Sequence, residues 1–291
     1  MRPAPRVLAS LGLALLSTTG STAAQAPTFK GGTERVRVDV LVTDEGEPVM
    51  GLGARDFRVL DNGVVQKPDL LEAGGPIKVL LVLDTSSSVK GVRFEQLVAA
   101  SGKLLDALKP ADQVGLLTFS ERLDQLVPLT TEHARVRDML GRVRPGRRTA
   151  LFDAVFAGLS LGAGDSGRWL VLIFSDGRDT ASWLSARRVL EAARRSSLVV
   201  CGVTVGEGSN ASRVFIDSVA DVTGGRVAAA TSDHELSRLF LGVLNEFRSR
   251  YVLTYVPEGV KRGDGWHELE VKLPRARGRV TARRGYLSTT E

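Results

Sequence analysis

The sequence predicts an α/β fold, a doubly wound parallel sheet flanked by a small β module built from the N- and C-terminal segments. Three observations carry this prediction. From Ile77 to Arg250, apolar runs of strand length alternate with stretches of helical spacing, as strand–helix–strand units do when both faces of a sheet are covered. Before residue 76 and after Arg250 the segments are shorter, alternate apolar with polar residues and are bounded by turn chemistry. Gly74-Gly75-Pro76 separates the first two patterns.

The first 26 residues read as an export signal. Arg2 and Arg6 form a basic region, Val7 to Leu16 an apolar one, and Ala24-Gln25-Ala26 supplies small residues for cleavage. No later segment offers about 18 consecutive apolar residues for a membrane span. In the N-terminal β segment, 27–75, Arg35 to Val42 alternates and Asp44-Glu45-Gly46-Glu47-Pro48 breaks the run. Phe57 to Leu60 repeats the theme, with Asn62-Gly63 a strong hairpin signal. The α/β domain, 76–250, opens on the strand Ile77 to Leu83, and Phe94, Leu97, Val98, Leu104, Leu105 and Leu108 then follow helical spacing as far as Pro110. Further strands are expected at Val114 to Phe119, Trp169 to Phe174, Leu198 to Val205 and Val227 to Ala230. Helices are expected at His133 to Val143, Leu151 to Leu161, Ser185 to Arg195, Ala211 to Val222 and His234 to Phe247. The C-terminal β segment, 251–291, contains Tyr251 to Tyr255, His267 to Leu273 and Arg279 to Ala282, with Gly263-Asp264-Gly265 as a turn. Domain termini commonly lie close together, so the two flanks are expected to form one module split around the inserted domain.

Composition narrows the function. At 291 residues and 43% hydrophobic content the chain supports a large core. Its net charge of +6 includes Arg2 and Arg6, which leave with the leader. The clusters Arg147-Arg148, Arg187-Arg188, Arg194-Arg195 and Arg283-Arg284 are scattered rather than striped with aromatics, which argues against nucleic acid. Cys201, the only cysteine, stands in an apolar strand and reads as a small buried hydrophobe.

The most informative stretch is Val79-Leu80-Leu81-Val82-Leu83-Asp84-Thr85-Ser86-Ser87-Ser88. An apolar strand delivers a carboxylate and several hydroxyls to one turn, and the alternation of Asp84, Ser86 and Ser88 aims their oxygens at one point. Such oxygens suit magnesium, calcium or manganese. A Ser-rich turn capping a helix has the same composition. Two later segments add oxygens, Thr149 ahead of Leu151-Phe152-Asp153 and Asp176 in Ser175-Asp176-Gly177.

Asp84-Thr85-Ser86-Ser87-Ser88, Thr149 and Ser175-Asp176-Gly177, in that order and at strand ends, resemble the metal-ion-dependent adhesion site (MIDAS) of the von Willebrand factor type A (VWA) domain. The resemblance spans roughly residues 76–250 and implies a Rossmann-like sheet. The outer segments resemble exported bacterial proteins that frame such a domain with β segments. By this likeness Ser86, Ser88 and Thr149 ligate Mg2+, or Mn2+ or Ca2+, directly, while Asp84 and Asp176 act largely through water. A Glu or Asp carboxylate of a protein partner then completes the coordination. Side chains of Val89 to Arg93, Glu121 to Leu123 and Arg178 to Trp183 would supply specificity, with Trp183 read either as an aromatic anchor or as core. The chain departs from the family in carrying Arg147 and Arg148 where small residues are usual before the threonine.

The expected function is an exported adhesion or interaction module, periplasmic or extracellular, without a transmembrane anchor. Two other readings stand beside it. An enzyme is disfavoured because His133, His234 and His267 lie outside the strand-end loops and read as surface or helix residues, and no Gly-x-x-x-x-Gly-Lys-Ser/Thr run appears. A metal-free structural scaffold of the cell envelope is the alternative, since fold does not guarantee a working site.

Overall fold

The computed structural model describes residues 35–71, 74–165, 167–176, 178–205, 211–261 and 265–288. The expected leader and residues Gly263 and Asp264 of the last turn lie outside them. In chain order the N-terminal segment forms β1 (Val36–Asp44), β2 (Glu47–Pro48), β3 (Arg58–Asp61), β4 (Val64–Gln66) and β5 (Asp69–Leu71). The central segment follows as β6 (Ile77–Asp84), α1 (Val92–Asp106), β7 (Gln113–Phe119), β8 (Leu123–Thr130), α2 (His133–Arg142) and α3 (Leu151–Leu161). It continues through β9 (Arg168–Ser175), α4 (Ala186–Arg195), β10 (Val199–Val205), α5 (Ala211–Thr223), β11 (Val227–Ala230) and α6 (Leu236–Arg248). The chain closes with β12 (Tyr251–Tyr255), β13 (Gly265–Lys272), β14 (Arg279–Thr281) and β15 (Gly285–Ser288).

The central sheet has the order β11-β10-β9-β6-β7-β8. Its four inner strands, β10, β9, β6 and β7, are buried on both faces, which is why β6 reads as a continuous apolar run. Val79, Leu81 and Leu83 pack with α1, α2 and α6, whereas Leu80 and Val82 pack with α3, α4 and α5. All pairings are parallel except β7 with β8, which is antiparallel and irregular in register. The parallel sheet expected from sequence is present and carries at one edge an antiparallel strand, β8, that was not anticipated. Leu123 to Thr130 contains Pro128 and buries only Val127 fully, so it lacks the apolar run of a central strand; proline is tolerated there because the strand is an edge.

The flanks do pair. β1 runs antiparallel to β12, with Val38 opposite Leu253, and also bonds β14. The order β14-β1-β12-β5 makes one sheet, with β2 attached to β1, and β15-β13-β3-β4 makes the other. Val36, Val38, Val40, Val42, Phe57, Val59, Leu253 and Leu269 form their shared core. Asn62 and Gly63 adopt φ values of 46° and 80°, the positive pair that a two-residue hairpin turn demands.

Three expectations need correction. Asp233–Glu235 is a 3-10 turn and α6 begins at Leu236. β15 was not anticipated as a strand, because Gly285 interrupts its pattern. His267 is no surface residue: it lies on β13 at 4% exposure, its Nδ1 2.7 Å from Asp61 Oδ1. Tyr255 and Tyr286 each donate to Asp61 Oδ2 at 2.8 Å. This buried network ties β3, β12, β13 and β15, and leaves His267 no role at the strand-end loops.

Candidate metal site

β6 and β9 are neighbours in register, Leu83 opposite Phe174. Chain order runs from β6 to β7 on one side, while β9 flanks the other, so the strand order reverses between β6 and β9. Ligands of open α/β sheets bind beyond the carboxyl ends at such a reversal. Asp84 ends β6 there, Ser175 ends β9, and Asp176 follows it.

Asp84 is fully buried. Its Oδ1 accepts the Ser86 N–H at 2.8 Å and its Oδ2 the Ser175 hydroxyl at 2.7 Å. Thr85 turns away, donating its N–H and its hydroxyl to the Phe119 carbonyl at 2.8 and 3.0 Å. The 3-10 turn Ser87–Val89 then brings Ser88 back, its Oγ 3.0 Å from that of Ser86. Ser88 donates to Asp176 Oδ1 at 2.7 Å. Asp84, Ser86, Ser88 and Asp176, with Ser175, therefore form one hydrogen-bonded chain.

The segment that leads into Thr149 is tied to the Asp84 turn through backbone bonds of Gly146 and Arg147. Thr149 is buried just ahead of α3, and the two bonds run from Gly146 N–H to the Thr85 carbonyl at 2.6 Å and from Ser87 N–H to the Arg147 carbonyl at 3.2 Å. Gly146 permits the approach, since a Cβ there would lie 2.4 Å from Ser120 Oγ. From the other side Thr149 donates to Thr180 Oγ1 at 3.0 Å, and its carbonyl accepts the N–H groups of Thr180 and Ala181 at 2.8 and 3.0 Å.

Burial pushes the Asp84 carboxyl up to about 6; the bonds from Ser86 and Ser175 oppose this, and the charge of Asp176 adds to it. A buried carboxyl that resists ionisation lacks compensating positive charge. Two serine hydroxyls within 3.0 Å of one another, flanked by carboxylates, fit a hard dication. Among the described residues no three His, Cys, Asp or Glu side chains cluster, so the donor set is hydroxyl-rich.

Sequence reasoning missed three participants. Ser175 buttresses Asp84, although it stood in the quoted Ser175-Asp176-Gly177. Thr180 braces Thr149, and nothing in its local pattern signals that. Arg93 was expected to face a partner, yet its guanidinium pairs with the second oxygen of Asp176 and, at 2.8 Å, with Asp233 ahead of α6. Val89, expected beside it on the surface, is fully buried. Arg147 and Arg148 are exposed. Their backbone N–H groups bond Glu121 Oε2 at 2.9 and 3.2 Å, and the Arg148 guanidinium bonds the Thr180 carbonyl. Glu121 is drawn down to about 2, first by its own N–H and then by those two.

The family model described as the von Willebrand factor type A domain matches residues 78–240, more than half of the chain. The chain belongs to the VWA family. VWA domains are protein-interaction modules, generally not enzymes, and often bind a divalent metal at a MIDAS. Solved structures share the fold at low identity. Proximal thread matrix protein 1 from the mussel byssus, solved with a zinc-occupied MIDAS motif, aligns at 18% identity and a TM-score of 0.54, covering 64% of this chain and 49% of that one. The chain thus spans about half the length of the mussel protein. A von Willebrand factor type A protein from Catenulispora acidiphila aligns at 13% identity and a TM-score of 0.53, covering 88% and 73%. The PilB minor pilin of Streptococcus sanguinis aligns at 13% and 0.50, covering 73% and 78%. No helix among the described residues of this VWA protein is long and apolar enough to cross a membrane.

Proposed function

We propose that this VWA protein is an exported interaction module, periplasmic or extracellular, that binds a divalent cation and through it an acidic residue of a protein partner. In this reading 1–26 is the leader, 76–250 the VWA domain, and 27–75 with 251–291 its supporting β module. Ser86, Ser88 and Thr149 would hold the ion directly, and Asp84 and Asp176 through water. Magnesium is the ion proposed, because the donors are hydroxyls and carboxylates; manganese, calcium and the zinc of the mussel relative's MIDAS are tested beside it. When bound, the ion supplies an electrophilic position that a partner's Glu or Asp carboxylate can occupy. The observation that carries this reading is the continuous chain from Asp84 through Ser86 and Ser88 to Asp176 at the reversal of strand order.

One observation favours the metal-free scaffold as a second reading. Arg93 already pairs with Asp176, so part of the charge that a cation would meet is compensated from within. Calorimetry with magnesium, manganese, calcium and zinc on the full chain and on Asp84→Ala separates the two. Binding heat in the wild type that disappears in the variant supports the metal site, and no heat with any ion in either protein supports the scaffold.

A further inference from the structure

Trp183 is 97% exposed, whereas Trp169 is 4% and Trp266 38% exposed. Its loop, 178–185, is nonetheless firmly held. The Trp183 and Leu184 N–H groups donate to the two oxygens of Asp153, each at 2.9 Å. Ser182 donates to Asp179 at 2.5 Å and accepts the Asp153 N–H at 3.2 Å. Thr180 and Ala181 bond Thr149. An indole held in water on fixed backbone has already met the ordering cost that a flexible loop meets on binding, and tryptophan provides a large contact area with only two side-chain torsions to fix.

Arg147, Arg148, Arg178, Arg187 and Arg188 are exposed in or beside this loop. The nearby carboxylates have internal work: Asp153 and Asp179 hold the loop, Glu121 holds the Arg147–Arg148 backbone, and Glu191 pairs with Arg187 at 3.3 Å. Arg187 and Arg188 also occupy the first turn of α4, which has no acidic residue, although cations are disfavoured at that end of a helix. Glu191 compensates Arg187 from the next turn, whereas no ion pair among the described residues compensates Arg188, and a local rule left uncompensated points to a functional position.

We propose that Trp183 and these arginines form a docking platform for an acidic polypeptide segment that carries an apolar side chain. This rests on the proposed function above and gives the partner a chemistry: acidic residues for the arginines, and an aliphatic or proline side chain for the indole. A lone indole among guanidiniums is too narrow an apolar face for membrane insertion, and it offers no row of aromatics on which successive bases could stack.

The test uses the magnesium-saturated full chain and a fluorescently labelled twelve-residue peptide alternating Glu and Asp with Leu and Pro, its Gln/Asn counterpart, phosphatidylserine vesicles and oligothymidine. Expected are salt-sensitive binding of the acidic peptide, at least tenfold weaker binding of its amide counterpart, and protection of Trp183 from acrylamide quenching. Trp183→Ala and the pair Arg147→Gln/Arg148→Gln should each weaken binding at least fivefold. The proposal is overturned if no acidic peptide binds, if Trp183→Ala stays within twofold of wild type, or if vesicles or oligothymidine bind more tightly than the peptide. Binding that survives chelation but drops in Trp183→Ala sustains the platform and removes the metal from the reading. Binding that needs magnesium yet ignores Trp183→Ala removes the platform and leaves the metal.

Discussion

Asp84 carries the tension of the site in one side chain. It is fully buried, pushed up to about 6, and faces another carboxylate. Asp84→Asn keeps an acceptor for the Ser86 N–H and removes the charge, so it should stabilise the chelated protein by about 1–2 kcal/mol while abolishing magnesium binding. Thermal melts with chelator and calorimetry with magnesium check the two halves, and a fall in melting temperature in chelator would contradict the first. Arg148 acts from outside. A like unit charge at 4 Å costs about 1 kcal/mol even in water, so Arg148→Gly should tighten magnesium by about two- to fivefold; an unchanged titration rejects the idea. The two arginines were legible as a departure from the family pattern, but their anchoring by Glu121 was not, because a bond across 26 residues leaves no local trace.

At the scale of elements, Asp112 shows how the α/β frame is clamped beneath the site. Its Oδ1 accepts the Ile77 N–H at 3.0 Å, and its Oδ2 accepts the Lys109 N–H at 2.6 Å and pairs with Arg248 at 2.5 Å. The start of β6, the turn before β7 and the end of α6 thereby share one carboxylate. Burial would raise this carboxyl, but Arg248 and the two N–H groups hold it below the ordinary carboxylate range. A depressed folded value means that the stabilisation is full above the ordinary pKa of about 3.9 and is lost as pH falls through the lower folded value. Acid titration of unfolding should therefore show a low-pH loss that is missing in Asp112→Ala, a variant expected to be about 3 kcal/mol less stable at neutral pH. Period and punctuation made most elements readable: β11 and α3 lie at the expected residues. β8 and β15 escaped because proline, glycine and partial exposure blur the apolar pattern that marks a strand.

For the whole molecule, the β module is a joint product of both chain ends. β12 pairs with β1 and β5, and β13 with β3. Deleting residues 27–75 should leave the apolar faces of Leu253 and Leu269 uncovered, seen as dye binding and aggregation; a soluble, monomeric, dye-silent product would show that the flanks are independent. From sequence alone came the alternating architecture, the positions of Asp84, Ser86, Ser88, Thr149 and Asp176 at element ends, and the framing β segments, because period, turn residues and motif order are written locally. Only the tertiary structure decided that Arg93 turns inward to Asp176, that Ser175 supports Asp84, that His267 is buried on Asp61, and that Trp183 stands in water. Those outcomes depend on which distant side chains meet once the strands are registered, and burial and charge pairing act through space rather than along the chain.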